Sequence, residues 1–226
     1  MLETSLGVIA YLITAVALVA ITAKSLELYR RIKAGQPDPT RSGDKGKRLA
    51  LMAREVLTHA KMLNFTGSGI AHWFVMIGFV SLFGTLVTAY GQISDPHFVL
   101  PLIGHFVPYN FFVELITWLT GISIVTLIAI RQVTRLMKKG RTSRFFGSGS
   151  WKAYFVEAVI LAIVFCVIAL RGLEGALLGD KAKSFEFALS QPAVNAFKDM
   201  DVATIERWIV IVAALKIIIS MTWFIV

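Results

Sequence analysis

Met62-Leu-Asn-Phe-Thr-Gly-Ser-Gly-Ile-Ala-His72-Trp-Phe-Val-Met-Ile-Gly-Phe-Val-Ser-Leu-Phe-Gly-Thr-Leu-Val-Thr-Ala-Tyr-Gly-Gln-Ile-Ser94 contains no Asp, Glu, Lys or Arg. A run of this length crosses a bilayer as a helix, because about 20 residues at roughly 1.5 Å each span the hydrocarbon layer. Its apolar centre is residues 70–90, and four further runs, at 6–23, 111–130, 153–170 and 208–226, are of the same kind. Together they predict an all-α membrane protein with five transmembrane helices in a single domain over residues 1–226. Composition agrees, since 16% of residues are charged against about 25% in soluble domains, and the mean hydropathy is +0.71. The opening Met1-Leu-Glu-Thr-Ser lacks the basic start of a secretory signal, so the first run is expected to stay as a span.

The net charge of +9 is distributed by side. Residues 24–61 hold ten of the 23 Lys and Arg, residues 131–152 hold seven, and residues 92–110 hold none. Basic loops face the cytoplasm. The amino terminus is then expected outside and the carboxyl terminus inside, and the charge points to membrane topology rather than to nucleic acid. The two cytoplasmic loops are residues 35–47, broken by Gly and Pro, and 131–152, which is expected to touch anionic lipid head groups. Within residues 48–63, Leu49, Met52, Ala53, Val56, Ala60 and Leu63 recur at helical spacing among Arg48, Arg54 and Lys61. That pattern predicts an amphipathic helix lying on the inner leaflet, with His59 in it.

Residues 95–110 are apolar yet interrupted by Pro96, Pro101 and Pro108, so they are expected at the outer interface, as a shallow lid over a site between spans. The fifth run ends at Val226 without a basic stop, and the chain is expected to continue into a cytoplasmic domain. The one cysteine, Cys166, excludes an internal disulfide and any iron–sulfur cluster held by this chain alone. No nucleotide-binding glycine loop, catalytic triad or metalloprotease pattern is present.

Four groups inside the runs carry the chemical interest. An ionisable side chain in hydrocarbon is costly without a partner. His72 follows the small residues Gly67, Ser68 and Gly69, which would let a flat macrocycle or another helix approach, and imidazole is a common axial ligand of haem iron. The plainer alternative is a hydrogen bond across helices. His59, His97 and His105 are not expected to face His72. Glu114 lies in the third run, Glu157 in the fourth and Lys216 deep in the fifth. Lys216 is too far from either end to reach the interface comfortably, which suggests pairing with Glu114 or a part in quinone or proton handling. Arg171 and Glu174, at the end of the fourth run, suit an interface ion pair.

Four segments in order, Gly35-Gln-Pro-Asp-Pro-Thr-Arg41, Ile70-Ala-His-Trp-Phe-Val-Met-Ile-Gly-Phe79, Asp95-Pro-His-Phe-Val-Leu-Pro-Leu-Ile-Gly-His105 and Tyr154-Phe-Val-Glu-Ala158, resemble one family. It comprises the membrane domains of iron–sulfur oxidoreductases related to heterodisulfide reductase, of the electron-transfer-flavoprotein:menaquinone oxidoreductase type. These domains are in turn similar to the five-helix haem b gamma subunit of respiratory nitrate reductase. The resemblance implies a bacterial cytoplasmic-membrane protein in fatty-acid oxidation and the respiratory chain. Electron-transfer flavoprotein would supply electrons through iron–sulfur clusters in a missing domain or partner subunit, and haem b would pass them to menaquinone. His72 matches the second-helix haem ligand, and the partner histidine would fall beyond Val226. The chain alone is then a membrane anchor and electron conduit and not a complete enzyme. Two alternatives remain, a haem-free structural anchor of the same enzyme and a small transporter.

Overall fold

The computed structural model describes residues 2–36, 38, 40, 43–64, 66–137, 151–183 and 185–225. Among these it contains helices α1 (Leu2–Lys33), α2 (Lys45–Thr58), α3 (Ala60–Leu63), α4 (Thr66–Ser81), α5 (Phe83–Ser94), α6 (Val107–Met137), α7 (Trp151–Leu178), α8 (Gln191–Phe197) and α9 (Val202–Ile225), and no strand. Five lengths are long and apolar enough to cross a bilayer: Glu3–Lys33, Thr66–Ser94, Val107–Thr134, Trp151–Lys181 and Val202–Ile225. They coincide with the five predicted runs, and the protein is a multi-pass membrane protein.

Several helices outlast their apolar runs for local reasons. α1 continues past residue 23 because Glu27 accepts from Lys24 at 3.0 Å and from Arg31 at 2.6 Å, and pairs three and four residues apart support a helix. The second span bends at Leu82 (φ −78, ψ −4), although Leu82 N–H still donates to the Gly78 carbonyl at 2.8 Å. α2 was expected over 48–63. It instead starts at Lys45 and stops where His59 turns left-handed (φ 49), after which α3 is a single turn. The reason is local: the His59 ring nitrogen Nδ1 is 2.7 Å from the Val56 carbonyl, which closes the end of the helix. No residue of α2 is buried in the bundle. Of the predicted loop 131–152, residues 138–150 lie outside the described residues.

α9 is the central post. Ile205, Ile209, Ala213, Ala214 and Ile217 on it pack with Ala10 and Ala17 of α1, Ala89 of α5, and Leu170 and Leu173 of α7. Small side chains let these backbones come close, and close van der Waals packing holds helices together where lipid removes the hydrophobic drive. A second cluster, Leu82, Val113, Ile116 and Val167, joins the second span to α6 and α7. α4 touches α6 at Gly78, where an added Cβ would collide with the Thr120 hydroxyl.

The two ends of the bundle differ. At one, Glu3 pairs with Arg207 and His97 with Glu206, both at 2.9 Å, which ties the starts of α1 and α9 to the proline-containing loop. We call this the loop end. At the other, the basic end, Arg131 of α6 holds the buried Glu157 of α7 at 2.7 Å.

Candidate functional site

A polar cavity of about 50 Å³ opens between α5, α6, α7 and α9. Thr85, Thr88 and Gln92 of α5 face it from one stripe, at helical spacing of three and four residues. Tyr109 and Asn110 of α6, Arg171 and Glu174 of α7, and Lys216 of α9 close the other sides. Val99, Leu100 and Gly104 cover it from the loop end, which is the covering position expected for residues 95–110. Gly84 leaves room for the Tyr109 hydroxyl, since a Cβ there would sit 2.7 Å from it.

Lys216, 1% exposed, donates from Nζ to the Thr85 carbonyl and to the Thr85 hydroxyl, each at 2.7 Å. The Thr85 hydroxyl in turn donates to the Leu82 carbonyl at 2.6 Å, so the lysine ties α9 to the bend of the second span. Lys216 also lines a second cavity of about 70 Å³, walled by Gly78, Phe79, Leu82, Phe83, Ile163 and Trp223 among others and almost wholly apolar. Phe83 is 63% exposed on the outside of the bundle. Lys216 is thus common to the lining of a polar lobe and of an apolar groove at the bundle surface.

The pairing of Lys216 with Glu114 does not form. Glu114 is held by Arg171, whose Nε donates to Glu114 at 3.3 Å, Nη1 to Glu174 at 2.9 Å, and Nη2 to the Glu186 carbonyl at 2.6 Å. Arg171 also lies over the Phe187 ring at 4.1 Å. The second oxygen of Glu114 accepts from the backbone N–H of Leu189, at 2.8 Å. A guanidinium offers five donors in a planar fork and can satisfy several acceptors at once, which a lysine at the depth of Lys216 cannot. The Arg171–Glu174 pair expected at an interface is therefore part of a buried cluster, with Arg171 only 9% exposed. Glu186 completes it, accepting from Asn110 Nδ2 at 3.2 Å and lying 3.3 Å from His105 Nδ1.

At the basic end, His72 is half-buried, and its Nδ1 has no hydrogen-bond partner among the described residues. The expectation that no other histidine approaches it is corrected. The His59 ring stacks on the His72 ring with centroids 5.6 Å apart and planes 29° from parallel. The left-handed turn at His59 swings that ring back toward α4, which no helical periodicity reveals. Of the small residues beside His72, Gly69 serves helix contact, since a Cβ there would strike the Met62 carbonyl of α3, whereas Gly67 faces open space.

A bis-histidine haem does not fit between these two rings. They oppose faces rather than ring nitrogens, and a metal bond needs the nitrogen lone pair aimed at the metal from about 2 Å. His72 can serve as one axial ligand, and no group of three or more His, Cys, Asp or Glu able to hold a metal occurs among the described residues. Gln92, Tyr109, Arg171, Glu174 and Glu186 were not singled out by the sequence for this site. The Thr85-Thr88-Gln92 stripe and the Asn110-Glu114-Thr117 stripe, each polar on an apolar helix, are the signals that point to it. The chain is a five-span helical membrane protein with a buried polar site. No family model, curated protein or solved structure matches it.

Proposed function

We propose that this chain is the membrane part of a quinone-reducing oxidoreductase and that it holds the quinone beside Lys216. Carrying this proposal is Lys216 itself, which is common to the lining of a polar lobe with hydrogen-bonding groups and of an apolar groove. An isoprenoid quinone has the same division, with two carbonyls on a ring and a long hydrocarbon tail. Lys216 Nζ and the Tyr109 hydroxyl can donate to quinone carbonyls, and the tail can leave along Phe79, Phe83 and Trp223. The lobes are small against the roughly 300–1,000 Å³ of ordinary ligand sites, so binding a quinone ring requires lining side chains to move.

The sequence resemblance supports menaquinone as the acceptor and electron-transfer flavoprotein as the donor, through iron–sulfur clusters outside this chain. It also supports a bacterial cytoplasmic membrane, with the basic end and the amphipathic α2 on the inner leaflet and the loop end outside. Haem b at His72 belongs to the same resemblance, but the described residues supply only one of its two ligands. The stacked His59–His72 pair favours the second version of the proposal, in which the domain anchors the cluster-bearing part without haem. Titration of the purified chain in nanodiscs with a menaquinone analogue tests the proposal. Saturable binding that weakens in Lys216→Met supports it, and no saturable binding contradicts it.

A further inference from the structure

Gln92 of α5 and Tyr109 of α6 both line the polar lobe. Gln92 is 1% exposed, and its Oε1 and the buried Tyr109 hydroxyl have no hydrogen-bond partner among the described residues. Buried polar side-chain atoms nearly always have one. Two such atoms on the wall of one cavity call for a shared occupant.

Neither atom is relieved by turning its side chain. Gln92 Nε2 donates to one oxygen of Glu174 at 2.7 Å, and the other oxygen accepts from Arg171 Nη1 at 2.9 Å. A flipped amide would set Gln92 Oε1 against that carboxylate, acceptor against acceptor. The Tyr109 hydroxyl is packed against α5, since a Cβ on Gly84 would sit 2.7 Å from it.

The surrounding atoms fix the chemistry of the occupant. Gln92 Oε1 only accepts, so the occupant must donate to it, whereas the Tyr109 hydroxyl can donate or accept. An ammonium carries three donors, and Thr85 takes two of those of Lys216. The occupant can accept from the third. Water donates and accepts, and the cavity of about 50 Å³ exceeds the roughly 10–15 Å³ that one water needs.

We propose that the polar lobe is a hydration site, in which ordered waters donate to Gln92 Oε1, bond the Tyr109 hydroxyl and accept from Lys216 Nζ. This inference does not depend on the quinone proposal. The waters solvate the Lys216 ammonium within the bundle, alongside its neutral partner Thr85. The apolar lobe differs. Besides the Lys216 amine and the Trp223 indole, its polar side chains are Thr120 and Ser220, and the Thr120 hydroxyl is committed to the Ile116 carbonyl at 2.6 Å. Apolar cavities stay dry, so hydration stops at Lys216. Any ligand entering the polar lobe must displace these waters and reproduce their hydrogen bonds.

The test is a structure of the chain in nanodiscs, purified free of quinone, at a resolution that shows ordered water. Water within hydrogen-bond reach of Gln92 Oε1 and of the Tyr109 hydroxyl is expected, with none in the apolar lobe. Tyr109→Phe gives an independent readout. Water bonded to the hydroxyl loses a partner in that variant, and the melting temperature should fall by about 2–4 °C, as for one lost hydrogen bond. Removing a hydroxyl that has no partner would instead leave it equal or raise it. Gln92 and Tyr109 turned onto protein partners, an acyl chain or detergent in the polar lobe, or an equal or higher melting temperature in Tyr109→Phe overturns the hydration site. None of these outcomes decides the quinone titration, which is a separate measurement.

Discussion

Lys216 Nζ lies 2.7 Å from both the carbonyl and the hydroxyl oxygen of Thr85, so the deepest cation of the fifth span is tied to the bend of the second and not to any carboxylate. Thr85 is a neutral partner, which leaves the amine able to exchange it for another acceptor. Removal of a buried charge along with its need for a partner is often neutral or stabilising. Lys216→Met is therefore expected to keep its melting temperature within a few degrees of the wild type, as measured in detergent, while losing affinity for the quinone.

Arg171 behaves in the opposite way, because its loss leaves Glu114, with a side chain 0% exposed, without its cation. Breaking a buried ion pair from one side costs about 3–5 kcal/mol. Arg171→Met should unfold at markedly lower temperature. Restoring part of that loss with the double variant Arg171→Met/Glu114→Gln would locate the penalty in the orphaned carboxylate; an additive double variant would contradict the pairing.

Gly78→Ala pushes a methyl group into the Thr120 hydroxyl across the α4–α6 contact. Overpacking of this kind costs about 1–3 kcal/mol. Thr120→Ala in the same chain should recover part of it, read as the difference in unfolding temperature between the single and double variants.

Asp201 begins α9, and its Oδ2 accepts from the Thr204 N–H at 3.0 Å. The Thr204 side chain and then its N–H hold the Asp201 carboxyl below the usual value of 3.8. A carboxyl lowered by folding stabilises the helix start above its unfolded value, and that contribution disappears as pH falls through the folded one. Protection of the amides in the first turn of α9, taken relative to the intrinsic exchange rate at each pH, should therefore fall on acidification below about pH 4 in the wild type, and Asp201→Asn should flatten the response.

The ring contact between His59 and His72 predicts the spectrum of the chain. With one haem ligand among the described residues, the dithionite-reduced minus oxidised spectrum should lack sharp b-type bands. Such bands, lost in His72→Ala, would show that the two rings part to admit a haem.

The spans were legible because each is an apolar run of bilayer length, a property of neighbouring residues. The bend at Leu82 was not, since no proline marks it. His72, Glu114 and Lys216 stood out as ionisable groups in apolar surroundings, and the structure gives Glu114 to Arg171 and Lys216 to Thr85. Their partners escaped notice. Arg171 and Glu174 read as a surface pair because they lie three residues apart near a helix end, whereas Glu186 and Glu114 bury them from distant parts of the chain. The helical spacing of residues 48–63 places His59 in a continuous helix, and only its left-handed backbone turns its ring onto His72.

The quinone site is tested most directly by quenching of tryptophan fluorescence as a menaquinone analogue is titrated into the purified chain, since Trp223 lines the apolar lobe. One saturable site is expected, weakened about tenfold in Lys216→Met, as befits one lost hydrogen bond of about 1.4 kcal/mol, and unchanged in His72→Ala. Equal affinity in the wild type and Lys216→Met, or no saturable binding, would contradict the account.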